Sequence, residues 1–163
     1  MNPELDLVLV NPFVLVERRE RLRKMEPYPP LGLAALAAWV RQRGYRVAIV
    51  DGTFHPSLGG LIRELDGTRS KVAGVYAMNG FRSQALAVVR SLAASGRTVL
   101  CGGPDPAVYP EVYLRAGARV AARSEGEATL TDLLAHFLKN EGALHEIAGI
   151  TYISGGDLVT TVP

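Results

Sequence analysis

The 163-residue sequence predicts a doubly wound α/β domain of the flavodoxin-like (Rossmann-like) kind, a five-stranded parallel sheet in the order 2-1-3-4-5 followed by a C-terminal β-hairpin. Three observations carry that expectation. Short apolar runs of strand length alternate with amphipathic stretches of helical period. The connections between them are mostly short, which argues for a sheet covered on both faces. Turn residues follow directly on the apolar runs, so the turns gather at the carboxyl ends of the strands, and right-handed crossovers then leave few topologies to choose from.

The first strand spans Leu5 to Val10 and stops at Asn11-Pro12. Residues 13 to 30 are long for a loop and carry the charged run Glu17 to Lys24 before Pro27-Tyr28-Pro29-Pro30. Loops of this length in compact domains are usually functional or disordered. Leu33, Leu36, Ala37 and Val40 give Leu31 to Arg43 a helical period, with Gly44 placed for a left-handed cap. Val47 to Val50 makes a second strand, and Ser57 caps a short helix carrying Leu61, Ile62 and Leu65. Val72 to Tyr76 is the third strand and Arg82 to Ser95 the next helix, ending at Gly96. Thr98 to Cys101 runs straight into Gly102-Gly103-Pro104; a short helix over Pro110 to Arg115 and a short strand over Val120 to Ala122 follow. Ser124 with Glu127 fits a capping box before Leu130, Leu133, Leu134 and Phe137. Beyond Gly142, Gly149 to Ile153 and Leu158 to Thr161 flank Ser154-Gly155-Gly156-Asp157, a hairpin turn signal. The whole of 1–163 reads as one unit, with an α/β core over 1–141 and an extension over 142–163.

Composition bounds what this unit can be. A formal net charge of +2 is too small to call for nucleic acid, and 48% hydrophobic with 21% charged residues is ordinary for a globular chain. The single cysteine, Cys101, excludes an internal disulfide and any cysteine-built zinc or iron–sulfur site, and fits a reducing cytoplasm. Asn2, Glu4 and Asp6 open a terminus without the features of a signal peptide, and no run approaches the roughly 18 apolar residues of a membrane helix. A soluble cytoplasmic protein without membrane partners is expected.

Ligands of doubly wound sheets sit beyond the carboxyl ends of the strands, where the strand order reverses. Asn11-Pro12-Phe13-Val14 bears no relation to the Gly-x-Gly-x-x-Gly turn of dinucleotide sites. A flavin phosphate would require hydroxyls in the loop after the first strand, and that basic loop has no Ser or Thr. A phosphoacceptor domain would need acids at the end of the first strand and an Asp at the end of the third, where Asn11 and Tyr76-Ala77-Met78-Asn79 stand instead. The remaining expectation is a ligand that tolerates apolar and glycine-rich walls.

Asn11-Pro12, Pro29-Pro30-Leu31-Gly32-Leu33-Ala34, Gly44-Tyr45 before Asp51, Gly102-Gly103-Pro104, Pro110-Glu111 and Ser124-Glu125-Gly126-Glu127 occur in this order. Together, and with the closing Ile147-Ala148-Gly149-Ile150-Thr151-Tyr152, they resemble the N-terminal cobalamin-binding domain of cobalamin-dependent radical S-adenosylmethionine enzymes, over nearly the whole chain. The resemblance implies a corrinoid presented to a radical S-adenosylmethionine barrel, in cis or in trans, for methyl transfer or related radical chemistry. It implies cofactor contacts from Asn11, Pro12, Leu31, Tyr76, Met78, Asn79, Gly102, Gly103, Pro104, Ser124, Glu125 and Gly126, with no catalytic residue and no protein metal ligand. Gly102 and Gly103 would let the backbone meet the nucleotide tail of the cofactor, or else simply form a tight strand-to-helix turn. Ser124 to Gly126 would contact the corrin amides, or else only cap a helix.

The departures are equally specific. The Asp-x-His-x-x-Gly motif of histidine-ligated cobalamin proteins is absent after the first strand, and Asp51-Gly52-Thr53-Phe54-His55 has the wrong spacing and follows the second. His55, His136 and His145 are therefore not expected on the metal, and the cofactor is expected base-off without a histidine ligand. Tyr76 stands where the related domains often have Ser or Thr, and a phenol there could narrow the tail cavity. The barrel's Cys-x-x-x-Cys-x-x-Cys motif is missing, so the iron–sulfur cluster and S-adenosylmethionine belong to a C-terminal domain absent from this chain. Pro163 is then a truncation point or the end of a stand-alone module. Two rivals stand beside this reading: a degenerate domain that has lost the cofactor and serves as a docking module, and a small-molecule enzyme using Cys101. A buried thiol is the simpler account of Cys101, a solvated loop that of the basic run Arg18 to Lys24, and packing that of Trp39 and Tyr45.

Overall fold

A computed structural model describes residues 4–18, 28–123 and 125–162. Leu7 and Leu9 of the first strand (β1, Leu5–Asn11) are buried on one face of the sheet and Val8 and Val10 on the other, as the unbroken apolar run requires. The strands β2 (Val47–Asp51), β3 (Ser70–Tyr76), β4 (Thr98–Gly102) and β5 (Val120–Ala122) join it in parallel, in the order β2-β1-β3-β4-β5. The expected order of the parallel strands is thus present.

The terminal hairpin departs from expectation. β6 (Ile150–Ser154) pairs antiparallel with β5 and β7 (Asp157–Thr160) with β6, giving one mixed seven-stranded sheet. β5 spans three residues, and its outer edge would otherwise present unpaired backbone groups. Ala121 and Ala122 pair there with Thr151 and Ile150, and the Arg123 amide donates to the Gly149 carbonyl at 2.8 Å. Ile147, Ile150 and Tyr152 then complete the apolar layer on one face of the sheet.

Helices cover both faces. On one side lie α1 (Leu31–Arg41) and α6 (Gly126–Leu134), the latter continued by a π-helical turn over Ala135–Lys139. Leu33, Ala37 and Val40 of α1 and Leu130, Leu133 and Leu134 of α6 pack with Leu7, Leu9, Val72 and Leu100 of the sheet. Trp39 of α1 ties the two helices together, its indole Nε1–H donating to Thr131 Oγ1 at 3.1 Å beneath the Arg43 guanidinium, 3.5 Å above the ring. The other side carries α2 (Leu58–Gly67), α3 (Arg82–Ala94) and two short helices, α4 (Pro104–Val108) and α5 (Pro110–Arg115). Leu61, Leu65, Val88, Leu92 and Tyr113 meet Val8, Val10 and Cys101 there. α4 adds to the expected elements; its start at Pro104 continues the Gly102-Gly103-Pro104 turn directly into a helix. Ser57 caps α2, accepting from the Gly60 amide at 3.0 Å, and α1 ends two residues earlier than expected, at Arg41. α6 starts from Glu125, which makes no side-chain cap; Ser124, the expected capping residue, lies outside the described residues.

Leu61 has no exposure, so Leu61→Ala should lower the unfolding free energy by about 2–5 kcal/mol, whereas Ser57→Ala should cost only about 1 kcal/mol. Urea denaturation followed by circular dichroism measures both.

Candidate functional site

Strand register decides what meets at the carboxyl edge. Val10 pairs with Val75 and Tyr76 with Gly102, which puts Asn11, Tyr76 and Gly102 side by side at the ends of β1, β3 and β4. Two residues further in, Leu9, Gly74 and Leu100 are paired across the same strands. Alternation along each strand turns both rows toward α1 and α6. A cavity of about 770 Å³ opens at this edge and runs over both rows between those helices. Leu33 and Leu36 of α1 and Leu130 and Leu133 of α6 form its deeper walls, while Asn11, Thr53, Tyr76 and Asn79 border its mouth. Tyr28 and Leu31 also border it and are 63% and 72% exposed, forming an apolar rim.

Of the residues expected to touch a cofactor, Asn11, Leu31, Tyr76, Met78, Asn79, Gly102, Gly103 and Gly126 border this cavity. Three do not. Pro12 is buried just after β1, Pro104 is exposed at the start of α4, and Glu125 is exposed before α6. Ser124 lies outside the described residues, as does the basic run apart from Arg18, whose backbone closes a 3₁₀ turn over Leu15–Arg18. Sequence reasoning missed the deep lining. Gly74 was a legible signal, since a glycine inside a strand often marks a close approach. Leu9, Leu36, Leu100 and Leu133 gave none, because a leucine facing a cavity and a leucine facing the core look alike in sequence.

The two adjacent glycines have different reasons to be there. Gly103 sits at φ +106°, and a Cβ would lie 2.5 Å from the Ala77 carbonyl oxygen and 2.8 Å from the Tyr76 ring, so the turn itself requires glycine. Gly102 has an ordinary φ, and a Cβ there would meet nothing within 4 Å. It borders the cavity, so the space its missing side chain leaves is available to a ligand. At Gly126 a Cβ would come within 3.0 Å of Leu36 Cδ2, which reflects the close packing of α6 on α1. Tyr76 is partly buried, packs within 6.0 Å of the Phe81 ring and against Gly103, and leaves the cavity open beside it.

Polar networks fix the surrounding loops. Asn11 Nδ2 donates to Asp51 Oδ1 at 2.8 Å and to Thr53 Oγ1 at 3.2 Å, and the Thr53 amide and hydroxyl both donate to Asp51 Oδ1. The buried Gln84 side chain of α3 holds the chain after β1: the Val14 amide donates to Oε1, and Nε2 donates to the Val14 carbonyl, each at 3.3 Å. Across the β3 and β4 ends, Arg82 grips Asp105 with two short bonds, Nε to Oδ2 at 2.7 Å and a terminal nitrogen to Oδ1 at 2.6 Å. Tyr113 donates its hydroxyl to Asp105 Oδ2 at 2.5 Å, and the Arg82 guanidinium lies 4.5 Å from the Tyr109 ring. Hydrogen bonding from Arg82, reinforced by Tyr113, holds the Asp105 carboxyl below the ordinary carboxylate range against the cost of its burial. Burial first, and the adjacent Asp105 second, push the Tyr113 phenol upward.

Cys101 packs on the opposite face of the sheet, among the α2 and α3 residues, and burial raises its thiol well above the ordinary range. Among the described residues, nothing there activates a nucleophile. His55 Nε2 lies 2.7 Å from Glu64 Oε2, His136 Nδ1 is 2.9 Å from the Gly142 carbonyl oxygen, and neither these two nor His145 borders the cavity. Among the described residues no group of His, Cys, Asp and Glu is arranged to hold a metal ion, and no helix is long and apolar enough to cross a membrane.

A doubly wound sheet with a parallel five-stranded core, a deep apolar cavity at its carboxyl edge and a glycine facing into it has the form of a binding domain for a large, partly apolar ligand. The profile of the B12 binding domain matches residues 26–134, more than half of the chain, and the chain belongs to that family. No curated protein matches it in sequence. Among solved structures it is similar to the cobalamin-dependent S-adenosylmethionine radical enzyme OxsB with aqua-cobalamin and S-adenosylmethionine bound, at 22% identity and a TM-score of 0.79. That match covers 98% of this chain and 22% of OxsB. It is also similar to the radical S-adenosylmethionine methyltransferase TsrM from Kitasatospora setae with cobalamin and a [4Fe-4S] cluster bound, at 19% identity and a TM-score of 0.79 over 99% of this chain and 29% of TsrM. The chain thus has the fold found in these enzymes and spans less than a third of either.

Gly103→Ala should destabilise the fold by about 1–3 kcal/mol, because strain at positive φ adds to contact with the Ala77 carbonyl, whereas Gly102→Ala should stay within about 0.5 kcal/mol of wild type. Chemical denaturation separates them. Because the Asp105 pKa is depressed in the folded state, its stabilisation is complete above the unfolded value near 4 and is lost as pH falls through the lower folded value. Asp105→Asn should therefore lower the thermal midpoint at neutral pH and flatten its decline below about pH 4.

Proposed function

We propose that this domain binds cobalamin base-off at the carboxyl edge of the sheet, without a histidine on the cobalt, and presents it to a radical S-adenosylmethionine barrel outside this chain. The observation that carries the reading is the apolar cavity between α1 and α6, reached past Gly102 where no side chain stands in the way. Gly102 and Asn79 would meet the corrin at the mouth, with Met78 and Tyr76 beside them, while Asn11 and Thr53, tied to Asp51, would form a fixed polar border. When bound, cobalamin supplies a cobalt centre able to carry and transfer a methyl group. The residues of this chain bind and orient it, while the leucines of the cavity exclude water from the part they enclose.

The absence of a histidine ligand is supported by the three histidines lying away from the cavity, two of them engaged with Glu64 and with the Gly142 carbonyl. The separate barrel is supported by Cys101 being the only cysteine and buried on the other face, so an iron–sulfur cluster and its S-adenosylmethionine would be held elsewhere, in cis or in trans. Exposed Tyr28, Leu31 and Phe54 at the strand-end edge give a partner an apolar surface to cover. The lone reduced thiol fits a cytoplasmic setting.

The purified chain, mixed with hydroxocobalamin and desalted, should retain the cofactor colour with a base-off visible spectrum. A colourless protein would defeat the proposal. Gly102→Asn, which places a side chain in the mouth, should weaken retention at least tenfold with the thermal midpoint nearly unchanged.

A further inference from the structure

The two edges of the seven-stranded sheet are finished differently. At β2 the Arg46 carbonyl accepts from the Asp6 and Leu7 amides, so the next carbonyl, that of Val47, points outward. The Arg41 guanidinium lies across it, donating from Nε at 3.3 Å and from a terminal nitrogen at 2.7 Å. A charged side chain along an edge strand guards it against pairing with another chain. β7 has no such guard among the described residues. Its register with β6 and the bond from the Thr161 amide to the Ile150 carbonyl, 2.9 Å, turn the backbone groups of Asp157, Val159 and Thr161 inward. Those of Leu158 and Thr160 therefore face out.

The sequence there carries none of the usual protection. From Gly149 to Val162 the one charged residue is Asp157, and neither lysine nor proline occurs. One face of the hairpin is also uncovered. Ile150, Tyr152 and Val159 pack into the apolar layer on the α6 side. On the opposite face Thr151 is buried, with α5 packed against β6, but the directly paired Ile153 and Leu158 are 44% and 46% exposed and Val162 is 78% exposed. Unpaired backbone groups and an apolar stripe thus meet on one strand.

We infer that β7 binds β7 of a second copy of this chain, antiparallel across a two-fold axis, joining the two sheets into one. The strand is complementary to itself in that register. Leu158 stands opposite Thr160 of the second copy, so the outward amides and carbonyls of both are satisfied, and Val159 meets its own counterpart at the axis. Asp157 falls opposite Thr161 of the second copy, so no like charges face each other. Because the β2 edge is guarded, the contact closes at a dimer. An edge of about six residues buries less than the roughly 800 Å² per partner of a stable complex, so the dissociation constant should lie at roughly 1–100 µM. None of these residues borders the cavity, and the inference is independent of the cobalamin reading.

Sedimentation equilibrium of the cofactor-free chain from about 5 to about 500 µM tests this. The expected result is a rise from the 17.5 kDa monomer toward twice that mass. Leu158→Lys, which puts a charge on the exposed stripe, and Thr160→Pro, which removes an outward amide at a position where an edge strand tolerates proline, should each weaken association at least tenfold. Circular dichroism should show both variants folded. A monomer throughout the range would overturn the inference, as would species larger than a dimer. Association untouched by both substitutions would place the contact elsewhere, and association lost with Leu158→Lys but kept with Thr160→Pro would overturn strand pairing in favour of face packing.

Discussion

Asp105 is a carboxylate with 3% exposure, and the cost of removing it from water has to be offset by partners from separate elements. Arg82 comes from the start of α3, Tyr113 from α5, and the Asp105 amide donates to the Ala77 carbonyl just beyond β3. The Ala77 amide donates in turn to Gly102, so the ends of β3 and β4 are joined by backbone and side chain at once. The turn through Gly103 is possible only because that residue carries no Cβ against Ala77 and Tyr76. With those loops fixed, Met78 and Asn79 on one side and Gly102 on the other face a common space, and the sheet can end in a cleft instead of a closed core. The chain after β1 is held by the same logic, with Gln84 satisfying both backbone groups of Val14.

The architecture was largely readable because each element carries its own physics. The apolar run of β1, the periodic face of α1 before Gly44, and Ser57 ahead of α2 are local signals, and each element formed close to where those signals put it. The hairpin turn was equally local: Gly155 and Gly156 both take positive φ between β6 and β7. Where that hairpin would pair was not local. It depends on β5 being short and edge-exposed, a fact about the assembled sheet that no window of sequence expresses.

The candidate site divides along the same line. Its mouth was legible, because Asn11 and Gly102 stand at strand ends and Asn79 lies three residues beyond one, and strand ends are where ligands gather. Its depth was not, since the leucines that wall it obey the same helical and strand periods as those of the core. Gly102 and Gly103, identical in type and adjacent in sequence, turned out to serve different ends, one forced by backbone geometry and the other facing open space. Tyr76, which as a bulky phenol threatened the cavity, rests against Gly103 at its margin.

Trp39 is the only tryptophan, and its indole bridges α1 to Thr131 of α6. Those helices are the two walls of the cleft. The molecule therefore carries a built-in optical gauge of wall separation: any spreading or tightening of α1 against α6 alters the hydrogen bond and the stacked cation around one fluorophore. Corrins absorb where indole emits, so occupancy and wall movement would register in the intensity and lifetime of a single emitter, without an introduced label.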